Sequence, residues 1–349
     1  MNNPFTLTFG KYPEKFVPRA SVTDTILKSF SQENPPCQTY IITGVRGSGK
    51  TVMLTALTNY FRQSKDWIVA DLEPSDDLLY SLAAQMYNES SFTEIFRRSK
   101  INLTYSGVGV EMQGQEPFFD VKTSIFQMLE KFAQRNKKIL ISIDEVVINE
   151  NVKKLLGTFQ TMLKRNYPVY ILMTGLPENI DIIQNTDVLT FLLRAPKLYL
   201  SPLDLFRVAD IYKKIQGINE NQAYEMAAMT KGYPYAFQLL GYFTVEYNGD
   251  YFSAANECKY YLSEYVYEKI WSELSSTYRK ILYAAANSET GAVKEIREAV
   301  DDMQPNKFAM YRDRLLRGRI ISGNDYGKIK FVLPFFAEFV VNKYKMTEL

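Results

Sequence analysis

Residues 44–51 read Gly-Val-Arg-Gly-Ser-Gly-Lys-Thr, after the apolar run Tyr40-Ile41-Ile42 and before a helix-like segment. In this pattern, G-x-x-x-x-G-K-[ST], the glycines let backbone N–H groups approach phosphate oxygens closely. The positive end of the following helix favours the anion. Lys50 can reach the β- and γ-phosphates, and the Thr51 hydroxyl can bind Mg²⁺. The stretch therefore predicts a phosphate loop for a nucleoside triphosphate, rather than an ordinary glycine-rich turn, with these contact residues: Gly44, Arg46, Gly47, Ser48, Gly49, Lys50, Thr51 and Val52.

Strand-like apolar runs alternate with helical patterns through the first 200 residues. After the run at 40–42 they recur at 67–71, 139–143, 169–173 and 197–200. Such strands, separated by helices, are typical of a parallel sheet covered on both faces. The predicted fold class is therefore α/β, a phosphate-loop NTPase core with helices on both sides of a parallel sheet. A glycine-interrupted stretch at 102–114 predicts a short hairpin or loop inserted before the helix that leads to the third strand.

Two adjacent carboxylates, Asp144 and Glu145, follow the third predicted strand about 95 residues after the phosphate loop. Nucleotide crevices lie at the carboxyl edge of such sheets. Asp144 is therefore expected to hold Mg²⁺ together with Thr51, and Glu145 to activate the attacking water. The alternative is a pair of ordinary acidic residues at a strand end. Nucleotide kinases and small GTPases generally lack the adjacent Glu, and the pair resembles that of the additional-strand ATPases with a catalytic glutamate.

The composition excludes several kinds of chemistry. The chain has no histidine, which excludes Ser-His and Cys-His catalysis and histidine-ligated zinc. Its two cysteines, Cys37 and Cys258, cannot form a disulfide framework and fit a reducing cytoplasm. No apolar run reaches the length of a membrane span, and the first residues lack the pattern of a signal peptide. We therefore expect a cytoplasmic protein with no membrane partner.

The alternation of strands and helices stops near residue 200, which predicts three domains. Residues 1–200 would form the ATPase core, 201–272 a helical lid and 273–349 a winged-helix domain. The last assignment comes from three predicted helices at 277–286, 293–303 and 306–317, followed by a two-stranded hairpin. Winged helix-turn-helix domains have this order of elements.

The predicted recognition helix and wing are basic. Residues 307–330 contain seven basic and two acidic side chains, a net charge of +5 against +2 for the whole chain. This favours double-stranded DNA as a partner through its phosphates. The alternative is a solvated face on a winged helix that binds protein. The candidate DNA contacts are Arg312, Arg314, Arg317, Arg319, Lys328 and Lys330.

Several segments resemble one branch of the AAA+ and STAND-related phosphate-loop ATPases, which includes origin-recognition-type proteins. Phe16-Val17-Pro18-Arg19 is similar to the family's opening segment FVGRE, with Pro18 in place of Gly. The stretch 193–203 resembles the join between core and lid. Residues 230–241 resemble the lid motif GGxP…LL, and 327–339 resemble the winged-helix ending. The matches run over most of the chain.

The resemblance implies further roles. Thr174 would sense the γ-phosphate, unless it is an ordinary strand-end residue. Val17 and Pro234 would lie near the adenine of ATP, whereas Arg46 is expected to pack outward or contact a neighbour. Arg194 would stabilise the transferring phosphoryl group across a subunit boundary, unless it is a surface residue in a connector.

Two functions remain open on these grounds. The first is a slow ATPase that acts as a nucleotide-dependent switch, because the predicted lid lacks the arginine sensor common in origin-recognition-type proteins. The second is a DNA-binding ATPase of the replication-initiator or transposition-helper type. A homo-oligomer or a protein partner is open on either hypothesis, and a small-molecule kinase has little support because no acceptor-binding motif is visible.

Overall fold

The structure is a computed structural model that describes residues 3–8, 13–89, 91–92, 94–95, 121–300, 303–323 and 325–347. The hairpin or loop predicted at 102–114 lies outside these residues. The chain forms two compact units. Unit 1 contains Met1–Arg19, Gly44–Val52 and Leu200–Leu349, and unit 2 contains Ala20–Thr43 and Met53–Tyr199.

Unit 2 is built on a parallel sheet of five strands in the order β2-β3-β4-β1-β5. The strands span Thr39–Thr43 (β1), Trp67–Leu72 (β2), Lys138–Ile143 (β3), Val169–Gly175 (β4) and Lys197–Tyr199 (β5). Each predicted strand is thus confirmed to within a residue or two. All four pairings are parallel, as expected for strands that are apolar on both faces.

Helices accompany the strands of unit 2. They span Ala20–Ser31 (α1), Lys50–Arg62 (α2, which begins in unit 1), Leu78–Tyr87 (α3), Val121–Ala133 (α4), Glu150–Lys164 (α5) and Pro177–Gln184 (α6), with a 3₁₀ helix at Asp187–Arg194. Alternate strand residues such as Ile141 and Ile171 pack with α3 to α6 in one apolar core. On the other face, Phe30 of α1 packs against Tyr170 with their ring centroids 4.7 Å apart. Both faces of the sheet are therefore covered.

Unit 1 contains a helical segment, which we define as α7 to α11. Its helices span Leu205–Tyr212 (α7), Glu220–Thr230 (α8), Pro234–Glu246 (α9), Tyr251–Leu262 (α10) and Glu268–Glu273 (α11), and a π-helical turn at Ser263–Tyr267 joins the last two. Asn219 and Gln222 form a capping box at the start of α8. Helix α8 ends at Thr230, and its C-cap residue Lys231 has a left-handed backbone and is followed by Gly232.

The C-terminal part of unit 1 begins with helices at Ser276–Asn287 (α12), Val293–Glu298 (α13) and Pro305–Arg317 (α14). The antiparallel strands Ile321–Ser322 (β6) and Lys330–Phe331 (β7) follow, and Phe336–Thr347 (α15) comes last. The helix expected at 293–303 is shorter than predicted, because the Val300 N–H bonds to the Arg297 carbonyl and tightens the final turn. The winged-helix assignment stays a prediction.

One apolar core runs through unit 1. It extends from Phe5 and Val17 through the helical segment to Phe336 and Tyr344 of the C-terminal part. Phe5 reaches it from the N-terminal segment and packs edge-on against Phe237 of α9. Among the described residues, no helix is both long and apolar enough to cross a bilayer.

Candidate nucleotide site

The predicted phosphate loop lies in unit 1 and leads directly into α2 at Lys50. Gly47 and Gly49 have φ of +69° and +84°, backbone conformations that favour glycine. Lys50 is only 5% exposed, and its Nζ donates hydrogen bonds to the carbonyls of Gly44 (3.1 Å) and Val45 (3.0 Å). The loop therefore ends in a buried ammonium group at the start of a helix, which is the charge and geometry that a phosphate needs.

Side chains also lie close to two of the loop glycines. A Cβ added to Gly44 would lie 2.7 Å from the Ser48 Oγ, and one added to Gly47 would lie 2.1 Å from the Tyr233 hydroxyl. The Ser48 Oγ is buried and has no hydrogen-bond partner among the described residues. A tightly wound backbone with an unpaired hydroxyl fits the close approach of a phosphate chain.

Two side chains from distant parts of unit 1 hold this loop. The Tyr233 hydroxyl donates to the Arg46 carbonyl at 2.5 Å. The Arg19 guanidinium donates to the carbonyls of Ser48 (2.9 Å) and Ser201 (2.8 Å). The sequence motifs contain both residues, but nothing in the sequence connects either of them to the loop, because the contacts span 187 and 29 residues.

Three other predicted contact residues belong to the loop or lie near it in unit 1. The Arg46 guanidinium pairs with the Glu273 carboxylate of α11 at 3.2 Å. Val17 is 3% exposed and packs in the unit 1 core. Pro234 is the first residue of α9, and its ring lies 3.8 Å from the position of a Cβ on Gly49.

The carboxylates predicted to act on the nucleotide lie in unit 2, at the carboxyl edge of the sheet. Ile141 and Ile143 of β3 pair with Ile171 and Met173 of β4, so the register puts Asp144 beside Thr174. The Thr174 hydroxyl donates to the Asp144 carboxylate and accepts the Glu145 N–H at 2.9 Å. We call these three residues the strand-end cluster.

Two members of this cluster differ in exposure. Thr174 is fully buried, which fixes its hydroxyl between the two acidic residues. Glu145 is exposed and has φ of +48°, a conformation that is uncommon for a residue other than glycine or asparagine. Its N–H also donates to the Asp144 Oδ1 at 3.1 Å. The backbone therefore turns sharply at the end of β3 and leaves the Glu145 carboxylate exposed to solvent.

Strand β4 lies between β1 and β3. Ile42 of β1 pairs with Thr174, and the Thr43 hydroxyl donates to the Gly175 carbonyl at 2.9 Å. The carboxyl ends of β1, β4 and β3 are therefore neighbours at one edge of the sheet.

Arg194 ends the 3₁₀ helix that precedes β5. Its side chain is exposed, so a guanidinium at this position is accessible to another molecule. An ordinary surface residue in a connector would be equally exposed. The structure therefore does not distinguish the two interpretations of Arg194, a phosphoryl-stabilising residue across a subunit boundary or a surface residue.

The basic residues of the C-terminal part are less uniform than the sequence suggested. Arg312 is half-buried and would lie 2.6 Å from a Cβ on Gly323, so it packs against the hairpin. Arg317 pairs with Asp313 at 2.8 Å, and Lys330 pairs with Asp325. Apart from Arg312, all of the candidates are exposed, including the two that form these ion pairs: Arg314, Arg317, Arg319, Lys328 and Lys330.

The residues present fit a magnesium nucleotide by their chemistry. The loop offers backbone N–H groups and an ammonium for phosphate, and Thr51 and Asp144 offer hard oxygen ligands of the kind that Mg²⁺ prefers. Thr51 is half-buried in the first turn of α2, and Asp144 is half-buried at the end of β3.

Comparison with known proteins supports this fold. The Walker-type ATPase PABY2304 of Pyrococcus abyssi is 17% identical, with a TM-score of 0.68, and the match covers 96% of this chain and 99% of that one. The Aeropyrum pernix ORC2 protein is 11% identical, with a TM-score of 0.57, over 99% of this chain and 100% of that one. The chain therefore has the fold of P-loop ATPases, and the predicted resemblance to origin-recognition-type proteins is confirmed for the fold.

The sequence comparisons are narrower. A family profile described as a domain of unknown function (DUF8462) matches residues 264–340. This range covers most of the π-helical turn, α11 and most of the C-terminal part of unit 1. No curated protein matches the chain.

Proposed function

We propose that this chain binds Mg-ATP and hydrolyses it slowly, as a nucleotide-dependent switch. Lys50 and the loop amides would bind the phosphates, Thr51 and Asp144 would hold Mg²⁺, and Glu145 would activate water. The observation that carries the proposal is the strand-end cluster at the carboxyl edge of the sheet, one strand away from β1, whose last residue precedes the phosphate loop. Adenine is supported by the Aeropyrum pernix ORC2 protein, a structure of ADPNP and ADP complexes.

Each side chain of the cluster has a definite task in this proposal. The exposed Glu145 carboxylate would orient a water and accept its proton as the γ-phosphate is displaced. Thr174 would hold the Asp144 carboxylate through its hydroxyl and respond to the γ-phosphate. Bound Mg²⁺ would supply positive charge to the β- and γ-phosphate oxygens. We propose Val17 and Pro234 for the adenine, and the exposed Arg194 for a phosphoryl group held by a second copy of the chain.

The switch part of the proposal rests on unit 1. The phosphate loop belongs to the same compact unit as the helical segment and the C-terminal part, and the last two share one apolar core. Arg46 also links the loop to α11 through Glu273. We propose that residues 201–272 act as the lid and 273–349 as a winged-helix output domain, with 1–200 as the ATPase core.

Calorimetric titration with Mg-ATP tests the binding function. Lys50→Ala is expected to weaken ATP affinity by about 10- to 150-fold, because a charged hydrogen bond contributes ~1.5–3 kcal/mol. Lys28→Ala, which removes an exposed lysine of α1, is the control and should bind like the wild type. Equal affinity of the two variants, or a wild type that binds no ATP, would overturn the proposal.

A second candidate function is duplex DNA binding coupled to ATP hydrolysis. It is favoured by the exposed basic residues Arg314, Arg319 and Lys328 at α14 and the hairpin. Fluorescence anisotropy with a labelled duplex should then show binding at low salt that weakens steeply as salt rises. Arg314→Glu should reduce it, whereas Lys345→Glu, at an exposed lysine of α15, should not.

The two functions give different turnover. An ATPase coupled to DNA binding should hydrolyse ATP several-fold faster when duplex DNA is present. A nucleotide-dependent switch should bind ATP tightly and hydrolyse it slowly, with or without DNA. Absence of DNA binding at low salt would reject the DNA function and leave the ATP function standing.

A further inference from the structure

Four carbonyl oxygens of the phosphate loop accept hydrogen bonds from side chains. Lys50 donates to Gly44 and Val45, Tyr233 donates to Arg46, and Arg19 donates to Ser48. Lys50 belongs to the sequence motif, whereas Tyr233 and Arg19 come from other parts of unit 1. The carbonyl side of the loop is therefore held by three side chains.

A hydrogen bond that fixes the orientation of a backbone carbonyl also fixes the orientation of the N–H group of the next residue. Each peptide unit is planar and trans, so the C=O of one residue and the N–H of the next point in opposite directions. The bonds to the carbonyls of Arg46 and Ser48 thus set the directions of the Gly47 and Gly49 N–H groups. These are amides of the motif that would face phosphate oxygens. A loop held in this way loses less conformational freedom when a ligand binds.

Tyr233 is suited to this task by its own placement. It immediately precedes α9 and is 5% exposed, and Pro234 follows it as the first helical residue. Its ring is packed so closely on the loop that a Cβ on Gly47 would lie 2.8 Å from the ring carbon Cζ. The hydroxyl therefore has a fixed approach to the Arg46 carbonyl.

Arg19 makes the second attachment. It is 7% exposed and uses two different nitrogens, Nε for Ser201 and Nη2 for Ser48, so it bridges the loop to the segment that precedes α7. Burial lowers the pKa of Arg19 to about 10, which leaves the guanidinium charged at neutral pH. A planar group with several donors can make both bonds at once, which an ammonium at the end of a flexible chain cannot do in the same geometry.

We infer that Tyr233 and Arg19 are positioning residues that hold the carbonyl side of the phosphate loop, so that its amides are directed at the phosphates before the nucleotide arrives. The inference deepens the proposed function and rests on it. It concerns phosphate recognition alone, so the base should not matter. Neither residue is assigned a contact with ATP.

Tyr233→Phe tests the role of the hydroxyl, because it keeps the ring and removes a single donor. Unit 1 offers matched controls in Tyr212 and Tyr267, whose buried hydroxyls donate to the carbonyls of Phe237 and Pro334. All three Phe variants should lose a similar amount of stability in urea unfolding. Only Tyr233→Phe is expected to weaken Mg-ATP affinity, by about 3- to 10-fold, as for one neutral hydrogen bond.

Inorganic tripolyphosphate with Mg²⁺ is the second probe. Tyr233→Phe should weaken its binding by the same factor as that of ATP, because the loop contacts phosphate and not the base. In steady-state hydrolysis KM should rise with little change in kcat. Equal affinity of the Tyr233 and Tyr212 variants would overturn the inference, as would a loss that affects ATP but not tripolyphosphate.

Arg19→Lys and Arg19→Met test the bridge. Both are expected to weaken tripolyphosphate binding several-fold, because neither side chain can hold two carbonyls in one plane. A Lys variant that binds as tightly as the wild type would mean that charge alone is sufficient, and it would refute the bridging role.

The outcomes also separate this inference from the function on which it rests. If the wild type binds no nucleotide, or if Lys50→Ala binds Mg-ATP as tightly as the wild type, both the proposed function and the positioning role are refuted. A wild type that binds normally while Tyr233→Phe and the Arg19 variants bind equally well would refute the positioning role alone.

Discussion

The phosphate loop of unit 1 and the strand-end cluster of unit 2 are held by hydrogen bonds of different origin. In the loop, donors from distant parts of the chain act on backbone carbonyls, as Tyr233 does on Arg46. In the cluster, Thr174 acts on Asp144 and Glu145, which end the neighbouring strand. The loop therefore depends on long-range packing, whereas the cluster depends on the register of two adjacent strands.

This difference predicts where substitutions will act. Changes in the cluster should alter turnover more than ATP affinity, because its groups would act on the metal and the attacking water. Changes that weaken the support of the loop should alter affinity more than turnover. The following substitutions test this division.

The largest effect is expected for Glu145→Gln. Removal of the general base should lower single-turnover phosphate release by about 100-fold or more, while ATP affinity changes little. Glu150→Gln, at an exposed carboxylate in the first turn of α5, is the control and should hydrolyse ATP like the wild type. Unchanged phosphate release by the Glu145 variant would remove this residue from the mechanism and break the comparison.

A smaller effect is expected for Thr174→Val, which keeps the shape and removes the hydroxyl between Asp144 and Glu145. Turnover should fall by roughly 10-fold, the equivalent of one hydrogen bond of about 1.4 kcal/mol. Thr43→Val is the matched control, since Thr43 is also fully buried at this edge but donates to the Gly175 carbonyl. If both variants lose turnover equally, the hydroxyl of Thr174 has only a structural role.

The same difference explains what could be predicted from the sequence. The apolar runs predicted all five strands, because a buried parallel strand needs a continuous apolar stretch. Asp144, Glu145 and Thr174 were predicted from strand ends, and the register of β3 and β4 brings them together. Whether they act on ATP stays a prediction.

The support of the loop could not be predicted in this way. Arg19 and Tyr233 lie in segments that resemble family motifs, but their bonds to loop carbonyls follow from the packing of unit 1 and not from any local pattern. The partial burial of Arg312 against the hairpin could not be predicted for the same reason. The sequence shows that this side chain is basic, but it does not show which residues pack against it. Side-chain patterns predict elements well, and they say little about contacts between distant segments.

The smallest expected effect compares two glycines inside helices. A Cβ added to Gly157 of α5 in unit 2 would have no described neighbour within 4 Å, whereas a Cβ on Gly241 of α9 in unit 1 would lie 2.4 Å from the Phe5 ring. Gly157→Ala should raise the free energy of unfolding in urea by up to about 1 kcal/mol, through helix propensity alone. Gly241→Ala should gain nothing or lose stability, because the Phe5 ring must shift from its contacts with Phe237 and Tyr212. The double variant is the control. Gly241→Ala made in the Phe5→Ala background should raise the free energy of unfolding relative to Phe5→Ala alone, because the ring that opposes the new methyl group is gone. If Gly241→Ala in the wild type is as stabilising as Gly157→Ala, the packing of Phe5 on α9 does not contribute to the stability of unit 1. Long-range packing would then no longer distinguish this unit from the sheet.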